Sequence, residues 1–543
     1  MTTFGERVAA FLREEFAEAP VAASALGLTE HDARLDDLSA DAFERRRRRA
    51  DWWLERFAEQ DRSVLTAEAA IDLDLIVSVL RGRVIMGDWQ MWRRQPDVYL
   101  NPSLQGVFTL FLHRLRPEPE LVAAAAARLR AAAGNIADGM RNLAPELVPR
   151  LYVDRALGQA RAASRYARDV VAGEVTDPAL RATLAEAGGV AARAFDDFAA
   201  FLERLAPRAS GAWAIGEARY TALLRDRELL ALDTRALRAL GQAEYDRVAG
   251  ELARLAREID GGDDWQATLA RLNRDHPPTP EAMRAVYEDW TERARRFLRE
   301  RGLVTFLPGE ACVVEPSPVF QRPVLAVASY QGPPAFSALR TGHFFVPFPP
   351  DGADADDIRK RLQSNSHSSI PTTAVHEAYP GHHWHISMAK ENPSAVRRMF
   401  RTPYFAEGWA LYAEHMMREQ GFFTDPRQLI CHYEATLFRA ARIVVDTSLH
   451  TGEMGYDDAV RFMMERANLP EPTAKAEVRR YCAWPTQASS YLTGCLEILD
   501  LRRRWLARDS RTGTEALRAF HDTLVGTGTL PLGLAARAML AGG

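Results

Sequence analysis

The chain carries no large excess of charge of either sign. Its 69 Lys+Arg stand against 73 Asp+Glu over 543 residues, so no global field favours nucleic acid or an anionic membrane as a partner. Cysteine is scarce. Cys312, Cys431, Cys482 and Cys495 include no C-x-x-C pair, which argues against a zinc knuckle or a dithiol redox pair and suggests reduced core thiols in the cytoplasm. No uninterrupted apolar stretch reaches membrane-spanning length. Met1 to Arg7 lead into a charged amphipathic pattern without the apolar core of a secretory signal, so a cytoplasmic protein with no membrane partner is expected. Lysine is nearly absent, and the abundant arginine suits carboxylate recognition.

What is present reads as a soluble globular chain, 47% hydrophobic and 26% charged, long enough for two domains or one two-lobed helical body. From residue 4 to about 300 helical periodicity dominates, broken by turns such as Arg116-Pro117-Glu118-Pro119 and Gly261-Gly262-Asp263-Asp264. Ala123 to Ala133 predicts helix by propensity alone. Arg45 to Arg49 follow Glu44 and precede Asp51-Trp52-Trp53 in a helical pattern, and read as a solvated helix face. Between 303 and 348 short β-prone runs appear: Leu303 to Phe306, Cys312 to Val314, Val324 to Ser329 and His343 to Val346. After 370 helices return, with no sustained heptads or repeats. The expected organisation is a helical region over 1–300 and a second region over 301–543 that holds the small sheet and the functional helices.

The chemistry concentrates in His376-Glu377-Ala378-Tyr379-Pro380-Gly381-His382-His383-Trp384-His385 and, further on, Phe405-Ala406-Glu407-Gly408-Trp409. Two neutral imidazoles and a carboxylate, with a fourth position open to water, form a catalytic zinc set. The usual H-E-x-x-H helix has its histidines at i and i+4. Here i+4 is Pro380, whose ring crowds the carbonyl of residue i−4, His376, and which has no N–H. A bulge or kink is therefore expected, delivering His382 (i+6) as the second ligand, with His383 (i+7) as the fallback. His376, His382 and Glu407 are the expected ligands and Glu377 the expected general base, with one zinc per chain; iron or manganese also suits such ligands.

On His376, Glu377, Pro380, Gly381 and His382 the chain resembles the bacterial family labelled domain of unknown function 885, whose pattern is His-Glu-x-x-Pro-Gly-His. Similar segments recur along most of the chain: Ala25 to Thr29 with Leu35 to Ser39, Gly211 to Gly216, Glu407 to Tyr412, Val444 to His450, and Arg480-Tyr481 through Tyr491. The resemblance implies a mainly α, two-lobed fold with a central cleft, like the helical zinc peptidases, and a small β-sheet beside the metal helix whose edge could hold a peptide by strand addition. Two departures stand out: His385 where the family pattern has Gln, and Pro485-Thr486-Gln487 where it has Pro-Gly-Gln.

Tyr491, in the segment resembling the family's C-terminal motif, is the first candidate to donate to a developing oxyanion; Tyr412 and His450 follow. Asp446 or Glu414 could orient a ligand imidazole. Arg439, Arg442 and Arg480 could clamp a substrate carboxylate or close internal salt bridges, and His385 could adjust the bonding around the metal. The expected activity is hydrolysis of amide bonds in short peptides. Two alternatives stay open: a metal-dependent amidase acting on a small metabolite, and a non-catalytic helical metal-binding protein, which would be favoured if His385 filled the fourth ligand position.

Overall fold

The computed structural model describes residues 3–540 except 320 and 323–326. The fold is mainly α with one three-stranded sheet. It comprises two compact units, Met1–Trp213 with Pro334–Leu339, and Ala214–Pro333 with Arg340–Gly543.

In the first unit the long helices are α1 (Glu118–Asn142), α2 (Arg150–Arg165) and α3 (Pro178–Leu205), with α3 packed against both others. The alanine-rich run lies inside α1 and buries Ala124, Ala125, Ala126 and Ala132, where small side chains allow close helix approach. Arg45 to Arg49 occupy the helix Ala40–Ala58, and Arg45, Arg46, Arg47 and Arg49 pair with Asp37, Glu18, Asp88 and Glu15. That face is solvated and ion-paired.

The second unit contains α4 (Thr234–Asp260), α5 (Pro280–Arg301), β1 (Ala311–Pro316), β2 (Ser329–Gln331), β3 (Thr341–Val346), α6 (Ile370–Glu377), α7 (His382–Ala389), α8 (Pro403–Glu419), α9 (Pro426–Thr451), α10 (Glu471–Ala483) and α11 (Ser490–Leu506). Side-chain caps set several starts. Asp233, Thr279, Thr402 and Asp425 accept hydrogen bonds from first-turn N–H groups of α4, α5, α8 and α9. Gly261, Gly302 and Gly452 end α4, α5 and α9 in the left-handed region. Two pairs form the frame, α4 along α9 and α8 along α11. The second crossing is close because a Cβ on Gly494 would lie 2.0 Å from the Tyr404 carbonyl oxygen and 2.8 Å from Cα of Gly408.

The sheet has the order β1-β3-β2, with β1 parallel and β2 antiparallel to β3. Both Val314 and Tyr330 sit opposite Phe344, and Phe344, Phe345 and Val346 are buried. The runs at Cys312 to Val314 and His343 to Val346 fall in β1 and β3. Of the run Val324 to Ser329, residues 324–326 lie outside the described residues, and Ser329 opens β2. Leu303 to Phe306 is not a strand, contrary to its β-prone composition. Its backbone groups are engaged by side chains: the Leu303 carbonyl accepts from His521 Nδ1, Thr305 N–H donates to Asp522, and the Thr305 carbonyl accepts from Trp384 Nε1. The sheet packs against α7 through β2 and β3, so it does lie beside the motif helix. Among the described residues no helix is long and apolar enough to cross a membrane.

Candidate metal centre

The motif is divided between two short helices. α6 stops at Glu377, Ala378 leaves helical geometry with ψ of −87°, the Tyr379–Pro380 peptide is cis, and α7 restarts at His382. Pro380 cannot continue the ladder of hydrogen bonds. Gly381 then packs directly over the end of α6: its N–H donates to the Val375 carbonyl at 3.1 Å, and a Cβ there would stand 1.9 Å from the His376 carbonyl oxygen. Trp409 on α8 closes the turn by donating from Nε1 to the Pro380 carbonyl at 2.8 Å. The break brings His382 beside His376, with ring centroids 4.9 Å apart and nearly perpendicular.

Glu407 on α8 completes the set. Its Oε2 is 3.7 Å from His376 Nε2 and 3.4 Å from His382 Nε2, and one ligand atom from each residue lies within 4.8 Å of the others. Tetrahedral zinc at about 2.0–2.1 Å from nitrogen and oxygen spaces its ligands about 3.3–3.5 Å apart. The residues present therefore fit a zinc-sized cation with room for a further ligand. Electrostatics agree. Burial works against charge on His376, yet hydrogen bonds to Glu407 and Glu414 raise its pKa to about 9. Burial also opposes ionisation of Glu407, but bonds to the two histidines hold its carboxyl well below the usual range. The pocket of ligands favours positive charge.

Glu414, about two turns of α8 beyond Glu407, sets the orientation of His376. Its Oε1 accepts from His376 Nδ1 at 2.6 Å, which turns Nε2 toward Glu407. Despite burial, Arg439, His376 and His432 hold the Glu414 carboxyl at about 2; Arg439 Nη2 is 3.9 Å and His432 Nδ1 3.6 Å from it. Glu377 is buried at 7% exposure. That burial, with the charge of Glu407 acting in the same direction, raises its pKa, while His376, His382 and Arg439 pull it down. A carboxyl balanced in this way suits proton transfer.

The remaining candidates divide. Tyr491 on α11 is close enough for the Glu407 charge to act on it; burial and that charge raise its pKa, keeping the phenol a donor. Arg442 stacks 4.6 Å over its ring and Gln487 donates to its oxygen at 3.4 Å. Thr486, the departure in the turn before α11, has φ of 69°, the left-handed region that glycine enters freely. Arg442 and Arg480 both bond Glu477 and so close an internal salt bridge.

His383 is turned away from the set: Nε2 donates to Glu310 at 2.7 Å and Nδ1 accepts from Tyr330 at 2.9 Å. His385 stacks on Phe405 and bonds Thr529 at 3.1 Å. Tyr412 bonds His521 at 2.7 Å. Asp446 accepts from Tyr220 at 2.6 Å and lies 3.7 Å from His450, whose Nε2 donates to the Tyr481 carbonyl.

Sequence reasoning missed Glu310 and Tyr330, which clasp α7 from the sheet. Glu310 also accepts from Tyr379 and Arg295, each at 2.6 Å, and although burial opposes it, bonds to His383, Tyr379 and Arg295 hold its carboxyl at about 2. No local pattern marks either residue, because their partners lie far along the chain.

The family model described as "Bacterial protein of unknown function (DUF885)" matches residues 20–539. Two solved structures share the fold. A "putative lipoprotein of unknown function" from Shewanella oneidensis is 20% identical with a TM-score of 0.79, over 99% of this chain and 100% of that one. The "putative lipoprotein" from Colwellia psychrerythraea is 18% identical with a TM-score of 0.78, over 100% and 99% respectively. No curated protein matches the chain.

Proposed function

The chain belongs to the DUF885 family, and we propose that it is a zinc-dependent hydrolase of amide bonds in short peptides, built like the helical zinc peptidases. The observation that carries this reading is the convergence of His376, His382 and Glu407 beside a buried Glu377. Bound zinc would supply the Lewis acidity that makes water nucleophilic and a carbonyl electrophilic. His376, held by Glu414, and His382, held by the break after α6, present Nε2 atoms, and Glu407 presents an oxygen. Glu377 takes the proton of the attacking water and returns it to the leaving nitrogen, so the C–N bond breaks with the amine neutral. The Tyr491 hydroxyl donates to the oxygen on which negative charge develops. His385, bonded to Thr529, does not complete a closed four-ligand set, which favours catalysis over a purely structural metal.

The test is metal analysis of the purified protein with peptide hydrolysis before and after chelation. Near-stoichiometric zinc is expected, lost in His376→Ala, His382→Ala and Glu407→Ala. Glu377→Gln should keep its metal and lose turnover by about a thousandfold or more; a fully active Gln variant would sink the assignment. Zinc with cleavage only of small amides, in a parallel panel, would move the reading to an amidase of metabolites. The proposed compartment is the cytoplasm, because the four cysteines are free thiols, which suits reducing surroundings. Recovery with the membrane fraction would instead align the protein with the description of its two structural neighbours.

A further inference from the structure

Glu414 steadies His376 with only one of its two oxygens. Oε1 accepts from His376 Nδ1 at 2.6 Å, and Arg439 Nη2 stands 3.9 Å from that same oxygen. Glu414 is fully buried, yet among the described residues its Oε2 has no hydrogen bond. An ionised carboxylate in the interior needs donors on both oxygens. The last torsion of a glutamate is also broad, so a carboxylate held at one oxygen leaves its plane poorly fixed. Any turn of that plane is passed to the imidazole it holds.

One polar atom faces Oε2. His432 Nδ1, on α9, lies 3.6 Å from it, and this nitrogen too is buried without a hydrogen bond. The His432 ring is 2% exposed and stacks on Phe423, with centroids 5.7 Å apart and 29° between the planes. Burial outweighs the pull of Glu414 and keeps the pKa of His432 below the ordinary histidine range. The ring is therefore neutral, and its one proton belongs on Nδ1, where the carboxylate is. A cavity of about 40 Å³ borders the ring together with His415, Thr436 and Leu492. Such space allows the shift of several tenths of an ångström that separates 3.6 Å from a charge-assisted hydrogen bond of about 2.8 Å.

We propose that His432 is a positioning residue for the metal centre: through Nδ1 it fixes the plane of the Glu414 carboxylate, and through that carboxylate the imidazole of His376. Partners one step removed from a ligand orient it and tune its affinity for metal, and His432 extends that support one group further. The inference rests on the zinc-hydrolase reading, and its experiment reads metal binding apart from turnover.

Zinc affinity is measured in the full chain by competition with a coloured chelator, the visible spectrum with cobalt in place of zinc, and kcat and KM on short peptides. His432→Phe keeps a ring against Phe423 and removes the donor. It should weaken zinc binding about tenfold or more, alter the cobalt spectrum, and lower kcat more than it raises KM. His432→Asn sets an amide nitrogen close to the place of Nδ1 and should restore most of the affinity and the spectrum. His432→Gln, whose nitrogen reaches one bond further, should not. Wild-type zinc affinity in His432→Phe overturns the proposal. Should that variant fail to fold, as a thermal melt would show, the Asn and Gln variants decide. Equal affinities and spectra in those two overturn the proposal, because a residue that only fills space is indifferent to where the amide nitrogen sits. If zinc binding depends on His432 in this pattern and no peptide is cleaved, the positioning role stands and hydrolysis falls.

Discussion

At the scale of single residues, burial decides what a titratable group can do, and His521 shows it outside the site. It is fully buried, donates from Nδ1 to the Leu303 carbonyl at 2.8 Å and accepts from Tyr412 at 2.7 Å, so the bond from Tyr412 needs the neutral ring while the bond to Leu303 tolerates either form. Burial accordingly lowers its pKa to about 4. The unfolded chain takes up this proton below about 6.5 while the folded one resists until about 4. The stability contributed by neutral His521 is therefore complete above pH 6.5 and lost as pH falls from 6.5 to 4, by about 3 kcal/mol in all. Urea unfolding across that range should show a shallower decline in His521→Gln than in the wild type; parallel declines would refute the linkage. The same scale shows what was legible. His376, Glu377, His382 and Glu407 stand out because each ligand type at that spacing has a chemical use. Glu310 and Tyr330 carry no local mark, since what distinguishes them is His383, a partner from elsewhere in the chain.

At the scale of elements, the site depends on two irregularities, the break between α6 and α7 and the close crossing of α8 on α11. Pro380 predicts the break, and Gly381 explains how it closes, but that His382 rather than His383 stands beside His376 depends on Glu310, just ahead of β1, and Tyr330 of β2, which hold His383. The crossing was not legible: Gly408 and Gly494 look like ordinary helical glycines until the two helices are apposed. A methyl on Gly494 would meet the Tyr404 backbone, which cannot move as a side chain can, so Gly494→Ala must push α11, with Tyr491, away from α8, with Glu407. A loss of about 1–3 kcal/mol or more is expected, together with a fall in kcat at unchanged zinc content. Gly250→Ala, in the open on α4, is the control and should be neutral or stabilising by up to about 1 kcal/mol. Equal effects of the two substitutions in thermal melts would show that the crossing has no special role.

At the scale of the whole molecule, two compact units share the chain and the proposed site lies in the second. Zinc that binds only the folded site stabilises it by about 2.7 kcal/mol at a hundredfold excess over its dissociation constant. Hydrogen exchange with and without chelator should therefore change protection in residues 214–333 and 340–540, foremost in α6, α7 and α8; an equal change through residues 3–213 would overturn that placement. The change of texture after residue 303 falls within this second unit rather than at its edge, because α4 and α5 pack on α9 and α6. By itself the sequence determined the mainly α class, the capped helix boundaries and the residue types of the candidate site, since propensity, capping and ligand chemistry act over a few neighbouring residues. Only the tertiary structure decided which histidine joins His376, which carboxylate steadies it and which arginines are already paired, because those outcomes depend on groups tens of residues apart meeting within a few ångströms in a protein interior where an unpaired charge is costly.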